Sequence, residues 1–121
     1  MLAIFDNLRD VSFFSVALRL FLAVLCGGLI GIERTYKRRP AGFRTHILIC
    51  MGAAVTTLTS QYMVLNLHYY TDMGRIGAQV VAGIGFIGAG TIIVTRQNRV
   101  KGLTTAAGMW ASAIIGLAFG V

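Results

Sequence analysis

Polar residues divide the chain into four apolar stretches. Arg19 is the one charged residue between Val11 and Ile32, and none falls within 45–71, 76–95 or 103–121. An α-helix needs about 20 apolar residues to cross the hydrocarbon core of a bilayer, so each stretch can cross it once. The alternation of a transmembrane β-barrel is absent, and backbone groups in lipid must bond internally. The pattern predicts transmembrane helices at about 12–32, 45–65, 76–94 and 103–121.

The composition supports a membrane protein of the all-α class. Of the 121 residues, 56% are hydrophobic and 12% charged, whereas a soluble domain carries about 25% charged residues. We therefore expect one transmembrane domain over 1–121, a compact bundle of four helices in contact with the lipid bilayer. The first ten residues, with Asp6, Arg9 and Asp10, are interpreted as a short amphipathic segment at the membrane surface.

The distribution of basic residues predicts the orientation. The net charge is +7, which in a soluble protein would suggest nucleic-acid binding. Here five basic residues lie in the loop 33–44 and three in the loop 96–102, against one each in 1–10 and 61–75. Short loops rich in Lys and Arg stay cytoplasmic. We therefore expect no nucleic-acid partner, cytoplasmic basic loops and an N-terminus outside.

Small residues recur four positions apart in the predicted helices, a spacing that lets helix backbones approach in lipid. The glycines expected to serve packing are Gly27, Gly31, Gly83, Gly85, Gly88, Gly90, Gly108 and Gly116. They favour a compact bundle and a homo-oligomer, preferably a dimer, with its seam on the first or fourth helix. Gly116→Leu is then expected to weaken the dimer. The glycines from Gly83 to Gly88 match GxGxxG, but no strand precedes them and no acidic residue follows at the required distance.

Polar residues near the helix ends are the candidates for function. Arg19 lies inside an apolar segment, where a guanidinium either has a functional or structural partner or reaches the headgroups alone. The other candidates are Glu33, Arg34, Arg44, Thr45 and His46 around the first loop, Asp72, Arg75 and Gln79 at the third helix, and Thr104 and Thr105 at the fourth. We interpret the two threonines as helix caps, and His46 as an interfacial residue more often solvated than a ligand.

Two arrangements are open for Arg19. In one, Arg19 meets Asp72, Arg75 and Gln79 in the outer half of the bundle, because the depths of Arg19 and Gln79 differ by only about one helical turn. In the other, Arg19 reaches the outer headgroups alone and Asp72 caps its helix. The sequence contains neither a paired-carboxylate site nor a nucleophile–base pair. We therefore expect no enzymatic activity, no cofactor and no metal site.

Five sequence segments together resemble the MgtC/SapB family of bacterial inner-membrane proteins, over roughly residues 15–120. They are GGLIGIER (27–34), PAGFRTH (40–46), Arg75-Ile76 with Gln79, GIGFIGAG (83–90) and VKGLTTAA (100–107) with Trp110. The resemblance implies a multi-pass inner-membrane protein linked to growth at low magnesium and, in pathogens, to virulence. It also implies a non-enzymatic regulator of a membrane partner such as ATP synthase or a P-type cation ATPase.

A small ion channel or transporter, for magnesium or another cation, is the alternative. Its pore would form between protomers, and the polar residues Arg19 and Gln79 motivate it. Family members usually continue into a fifth helix, and many add a cytoplasmic C-terminal domain. Because this chain ends at Val121, we expect either a shortened chain or a protein without the functions of those parts.

Overall fold

The fold, taken from a computed structural model, is an all-α bundle, and the residues described are 12–39, 41–68, 72–94 and 99–121. The four helices are α1 (Phe13–Tyr36), α2 (Phe43–Leu65), α3 (Gly74–Thr91) and α4 (Leu103–Gly120). Two short antiparallel strands, β1 (Ile93–Val94) and β2 (Val100–Lys101), connect α3 to α4. The amphipathic segment expected over the first ten residues lies outside the described residues.

All four predicted helices are present, with ends that differ by a few residues, and a length and hydropathy sufficient for crossing a membrane are confirmed for three of them. Within the described residues, α1, α2 and α4 are long and apolar enough to cross a membrane. The remaining helix, α3, has 18 residues and carries Arg75 and Gln79 in its first two turns, which lowers its hydropathy. The strands were not predicted, because two residues are too few to show the alternation of a β-strand.

Side chains beside the first loop hold the start of α2 against the end of α1. The backbone N–H of Phe43 donates to Thr35 Oγ1 at 3.0 Å, which satisfies one of the free amides at the start of a helix. A Cβ at Gly42 would lie 2.6 Å from that same oxygen. The close approach therefore explains why glycine precedes α2.

Neighbouring helices along the chain run antiparallel, so the bundle has two chemically different ends. Contacts of α1 with α2 join Gly31 to Phe43, near the end of one and the start of the other. In the same way, Gly88 near the end of α3 lies against Ala106 near the start of α4. We call the end formed by residues 33–39, 41–46 and 99–105 the basic end, and the end formed by residues 12–19, 60–68, 72–75 and 117–121 the opposite end.

The centre of the bundle is built from small side chains in two clusters on either side of the α2–α4 contact. One cluster, with α1, consists of Ala23, Cys50 and Ala54. The other, toward α3, consists of Ala41, Ile84, Met109 and Ala113. Many large apolar side chains are exposed instead, as those of Phe21, Leu29 and Phe86 are. This is the arrangement expected when lipid is the solvent and small residues form the helix contacts.

Candidate functional site

Glycines of α1 and α4 bring both helices into backbone contact with α2. A Cβ at Gly27 would lie 2.7 Å from the His46 carbonyl oxygen, and one at Gly31 would lie 2.5 Å from the Cα of Phe43. A Cβ at Gly116 would overlap the Cys50 carbonyl oxygen and lie 2.9 Å from the Ala53 Cβ. Real Cβ atoms do not approach other atoms this closely. The expected packing role of Gly27, Gly31 and Gly116 therefore has a physical basis within one chain.

The expected dimer seam on the glycines of α4 needs correction. Gly116 and Gly120 lie against α2 of the same chain, so no groove remains at these two positions for a second copy. A Cβ at Gly88 would make an ordinary contact with Ala106, at 3.5 Å. Three other glycines expected to serve packing have nothing within 4 Å of an added Cβ: Gly83, Gly85 and Gly90. These three do not pack within the single chain.

Arg19 joins three helices at the opposite end. Its Nη1 donates to the side-chain oxygen of Gln61 in α2 at 2.7 Å and to the Gly120 carbonyl of α4 at 3.1 Å. The Gln61 amide in turn donates to the Val121 carbonyl at 3.3 Å. Arg19 and Gln61 are both at least nine-tenths buried. We call these four residues the Arg19 network. A cation at the C-terminal end of α4 is also favoured by the helix dipole.

The expected meeting of Arg19 with Asp72, Arg75 and Gln79 is replaced by a different arrangement. The side chains of all three residues are exposed on α3 or at its start. Asp72 Oδ1 accepts from the Gly74 N–H at 2.9 Å, just before α3, although the N-cap position itself is Met73, which makes no side-chain cap. The amide partner of Arg19 is Gln61 rather than Gln79. The sequence analysis chose Gln79 because it shares a helical face with Asp72 and Arg75. It missed Gln61 because no charged residue lies one or two turns away from Gln61 on α2.

The candidates around the first loop form an ion-pair group at the surface of the basic end. Glu33 accepts from Arg34 Nε at 2.6 Å and from Lys37 Nζ at 2.9 Å. Arg34 makes a second hydrogen bond to the same carboxylate at 2.8 Å. Arg44 is exposed and Thr45 is partly buried at the start of α2. Exposed ion pairs contribute little stability, so this group serves mainly to place charge at the basic end.

His46 differs from its sequence interpretation, because its side chain is completely buried rather than solvated. Its Nδ1 lies 2.8 Å from the Gly42 carbonyl oxygen, to which it donates. Its Nε2 is buried without a hydrogen-bond partner and faces α4, where a Cβ at Gly108 would lie 3.7 Å away. The ring fits because glycine in α4 leaves space for it. With Nδ1 as donor, Nε2 is an acceptor with an unmet hydrogen bond.

A serine at position 108 is expected to stabilise the bundle. Gly108→Ser would place a hydroxyl within reach of the unpartnered His46 Nε2, and serine also favours a helix more than glycine does. We expect a gain of about 1 kcal/mol in the free energy of unfolding, measured by denaturation in detergent micelles. Gly108→Ala is the matched control and should give only the smaller gain from helix propensity. Equal stability of the two variants would show that the serine makes no such bond.

The start of α4 lacks the expected threonine caps. Gly102 occupies the N-cap position with φ 94°, and no side chain caps the helix. A Cβ at Gly102 would overlap the Thr91 carbonyl oxygen, so both the backbone angle and the space require glycine. Thr104 is exposed, whereas Thr105 is buried against the bundle. The two threonines lie in the first turn of α4, beside Arg39 and Lys101.

Neither a metal-ligand cluster nor a dinucleotide fingerprint occurs among the residues the structure describes. No group of three His, Cys, Asp or Glu side chains lies close enough to hold a metal ion there. The segment matching GxGxxG lies inside the helix α3. In dinucleotide-binding folds that motif forms the turn between a strand and a helix. The glycines of α3 therefore do not form a dinucleotide fingerprint.

Apolar outward faces, small-residue contacts and a buried arginine network together define a multi-pass membrane protein built as a helical bundle. Residues 20–121 match the MgtC family, so the chain belongs to that family. It is 51% identical over 107 residues to the Escherichia coli (strain K12) protein named "Putative magnesium transporter YhiD", covering 85% of this chain and 49% of the relative. This agrees with the resemblance seen in the sequence.

Two further relatives have similar coverage. "Protein MgtC" of Salmonella typhimurium (strain LT2) is 46% identical over 108 residues, which is 89% of this chain and 44% of the relative. An uncharacterized protein of Haemophilus influenzae is 42% identical over 107 residues, covering 84% of this chain and 45% of the relative. The chain thus spans just under half the length of these relatives. No solved structure matches it significantly.

Proposed function

We propose that this chain is the membrane domain of a magnesium-homeostasis protein that acts by binding and regulating another membrane protein. The family membership and the magnesium-related name of YhiD support the link to magnesium. The proposed location is the bacterial inner membrane. The proposed partner is an ATP-driven machine of that membrane, either ATP synthase or a P-type cation ATPase, as the family resemblance implies.

The Arg19 network is the observation that carries the regulatory role. A divalent cation moving between α1, α2 and α4 would meet a buried guanidinium at the opposite end. It would then meet helix backbones already in contact at Gly27 and Gly116. These features favour a protomer that works as a rigid contact surface rather than as a conduit.

A pore between protomers is the second candidate, and one observation favours it. Asp72, just before α3, and Arg75 and Gln79 on this helix form an exposed polar row. Within the described residues, nothing lies within 4 Å of a Cβ added at Gly83 or Gly90 of the same helix. A second copy could enclose this row. The proposed homodimer is tested by measuring the mass of the protein in nanodiscs, and only a dimer or higher oligomer is compatible with such a pore.

The regulatory role is tested with inverted membrane vesicles from cells that do or do not produce the chain. We expect the chain to change ATP-driven proton pumping by ATP synthase, or ATP hydrolysis by the cation ATPase, at equal amounts of the pump. Gly116→Leu, which is expected to disrupt the packing of α4 on α2, is the negative control and should have no effect when present in the membrane at the same level. Unchanged activity of both pumps would contradict the proposal.

The proposed orientation predicts which loops an impermeant thiol reagent can reach. In intact spheroplasts, a cysteine introduced by His68→Cys should be labelled from outside, and one introduced by Lys37→Cys should be protected until the cells are lysed. Both positions are exposed in the bundle, so protection reflects the membrane rather than burial. The parent chain, with Cys50 buried and Cys26 partly buried, gives the background. Labelling of the Lys37→Cys variant in intact spheroplasts would reverse the orientation.

A further inference from the structure

We propose that a cavity at the basic end binds a phosphate group. The cavity has a volume of about 520 Å³ and lies between Arg39, after the end of α1, and residues 100–105, which run from β2 into α4. Its lining combines two cationic side chains with the first turn of a helix. No function described above uses this cavity.

The first turn of α4 supplies hydrogen-bond donors that have no acceptor within the helix. The first helical bond at this end runs from the Ala106 N–H to the Gly102 carbonyl at 2.9 Å. The N–H groups of residues 103–105 therefore have no acceptor within the helix, and no side chain caps them. The positive end of the helix dipole adds to the same field. Such a terminus favours oxyanions.

Thr105 gives an independent indication that the cavity is built for a polar ligand. It lines the cavity, and only 3% of the residue is exposed. Its hydroxyl makes no hydrogen bond within the described part of the chain. A threonine inside a helix commonly donates to a carbonyl one turn earlier, as Thr56 and Thr59 do here. Thr105 Oγ1 is not one of the enclosed atoms without a hydrogen-bond partner, which are His46 Nε2 and Ser60 Oγ among the described residues. It therefore opens on the cavity, where a phosphate oxygen could accept its hydrogen bond.

The charge at the basic end favours an anion over a neutral ligand. Arg39 and Lys101 are exposed, and neither makes an ion pair with the acids of the described residues. Glu33, the acid at this end, is already bound by Arg34 and Lys37. A phosphate group has several oxygens that accept hydrogen bonds. The cavity offers them donors from an arginine, a lysine, the uncapped amides of the helix and a hydroxyl. That group could belong to an anionic phospholipid or to free phosphate.

The test measures binding to the purified full chain in nanodiscs of zwitterionic lipid. One arm titrates inorganic phosphate against chloride at equal ionic strength, and the other introduces cardiolipin in place of part of the lipid. A higher melting temperature on addition of inorganic phosphate identifies free phosphate as the ligand. A higher melting temperature with cardiolipin alone identifies a lipid phosphate. Either result supports the site. Stabilisation in neither arm would overturn it.

Variants separate this cavity from general attraction to a basic surface. Thr105→Val, which keeps the shape of the side chain, and Lys101→Met should each weaken binding about tenfold. Lys101 is exposed, so its variant remains informative if Thr105→Val fails to fold. Thr59→Val and Arg75→Met are the matched controls outside the cavity and should bind as the parent does. Equal losses in the control variants would overturn the assignment.

Discussion

Gly116→Leu is expected to unfold the protomer itself rather than only weaken a dimer. A Cβ at this position would already overlap the Cys50 carbonyl oxygen and lie 2.9 Å from the Ala53 Cβ. The backbones of α2 and α4 would have to separate, which would also loosen the cluster of Ala23, Cys50 and Ala54. We expect a loss of about 3 kcal/mol, the upper part of the range for overpacked cores, measured by denaturant titration in micelles.

Gly83→Leu is the matched control for this substitution. Gly83 lies in α3, where nothing comes within 4 Å of an added Cβ. The free energy of unfolding of Gly83→Leu should differ from that of the parent by no more than about 0.5 kcal/mol, as is usual for surface positions. A large loss for Gly83→Leu together with a small one for Gly116→Leu would contradict the described packing of α4 on α2.

Replacing Arg19 is expected to separate α1 from the ends of α2 and α4. Arg19→Met keeps much of the side-chain length but leaves the Gln61 oxygen and the Gly120 carbonyl without their charged donor. Hydrogen bonds to charged groups contribute about 1.5–3 kcal/mol each, so we expect a loss of about 3 kcal/mol in unfolding free energy. Arg19→Lys should be intermediate, because a single ammonium lacks the planar fork of arginine.

A double-mutant cycle identifies the partner of Arg19. Arg19→Met combined with Gln61→Leu should lose less than the sum of the two single losses, by about 1–2 kcal/mol, because each substitution removes the same bond. The same cycle with Gln79→Leu should be additive, since Gln79 is exposed on α3. Coupling to Gln79 without coupling to Gln61 would restore the arrangement expected from sequence and contradict the Arg19 network.

The helices could be predicted from the sequence because lipid imposes one rule on all of them. Charged residues mark the loops, and each apolar stretch has the length of one crossing. The observed starts, at Phe13, Phe43, Gly74 and Leu103, follow these breaks closely. The importance of Gly27, Gly31 and Gly116 could also be predicted, because spacing by four places small residues on one face.

The partners of these residues could not be predicted, because hydropathy does not give the rotation of one helix against another. The spacing of small residues placed Gly116 on a face that contacts another helix. It could not show whether that helix is α2 of the same chain or belongs to a second copy. Depth in the membrane suggested Gln79 for Arg19, whereas the rotation of α3 leaves Gln79 exposed. The burial of His46 depends on the space left at Gly108 in a different helix, which no local pattern reveals.

Magnesium flux through the purified protein tests the central claim most directly. The chain is reconstituted into liposomes that contain a magnesium-sensitive dye, and an inside-negative potential is applied. Dye calibration and a known ionophore establish that entry can be detected. Because a buried arginine network and closely packed helices support a contact surface rather than a conduit, we expect magnesium entry equal to that of protein-free liposomes. Saturable entry above that level, proportional to the amount of protein, would contradict it.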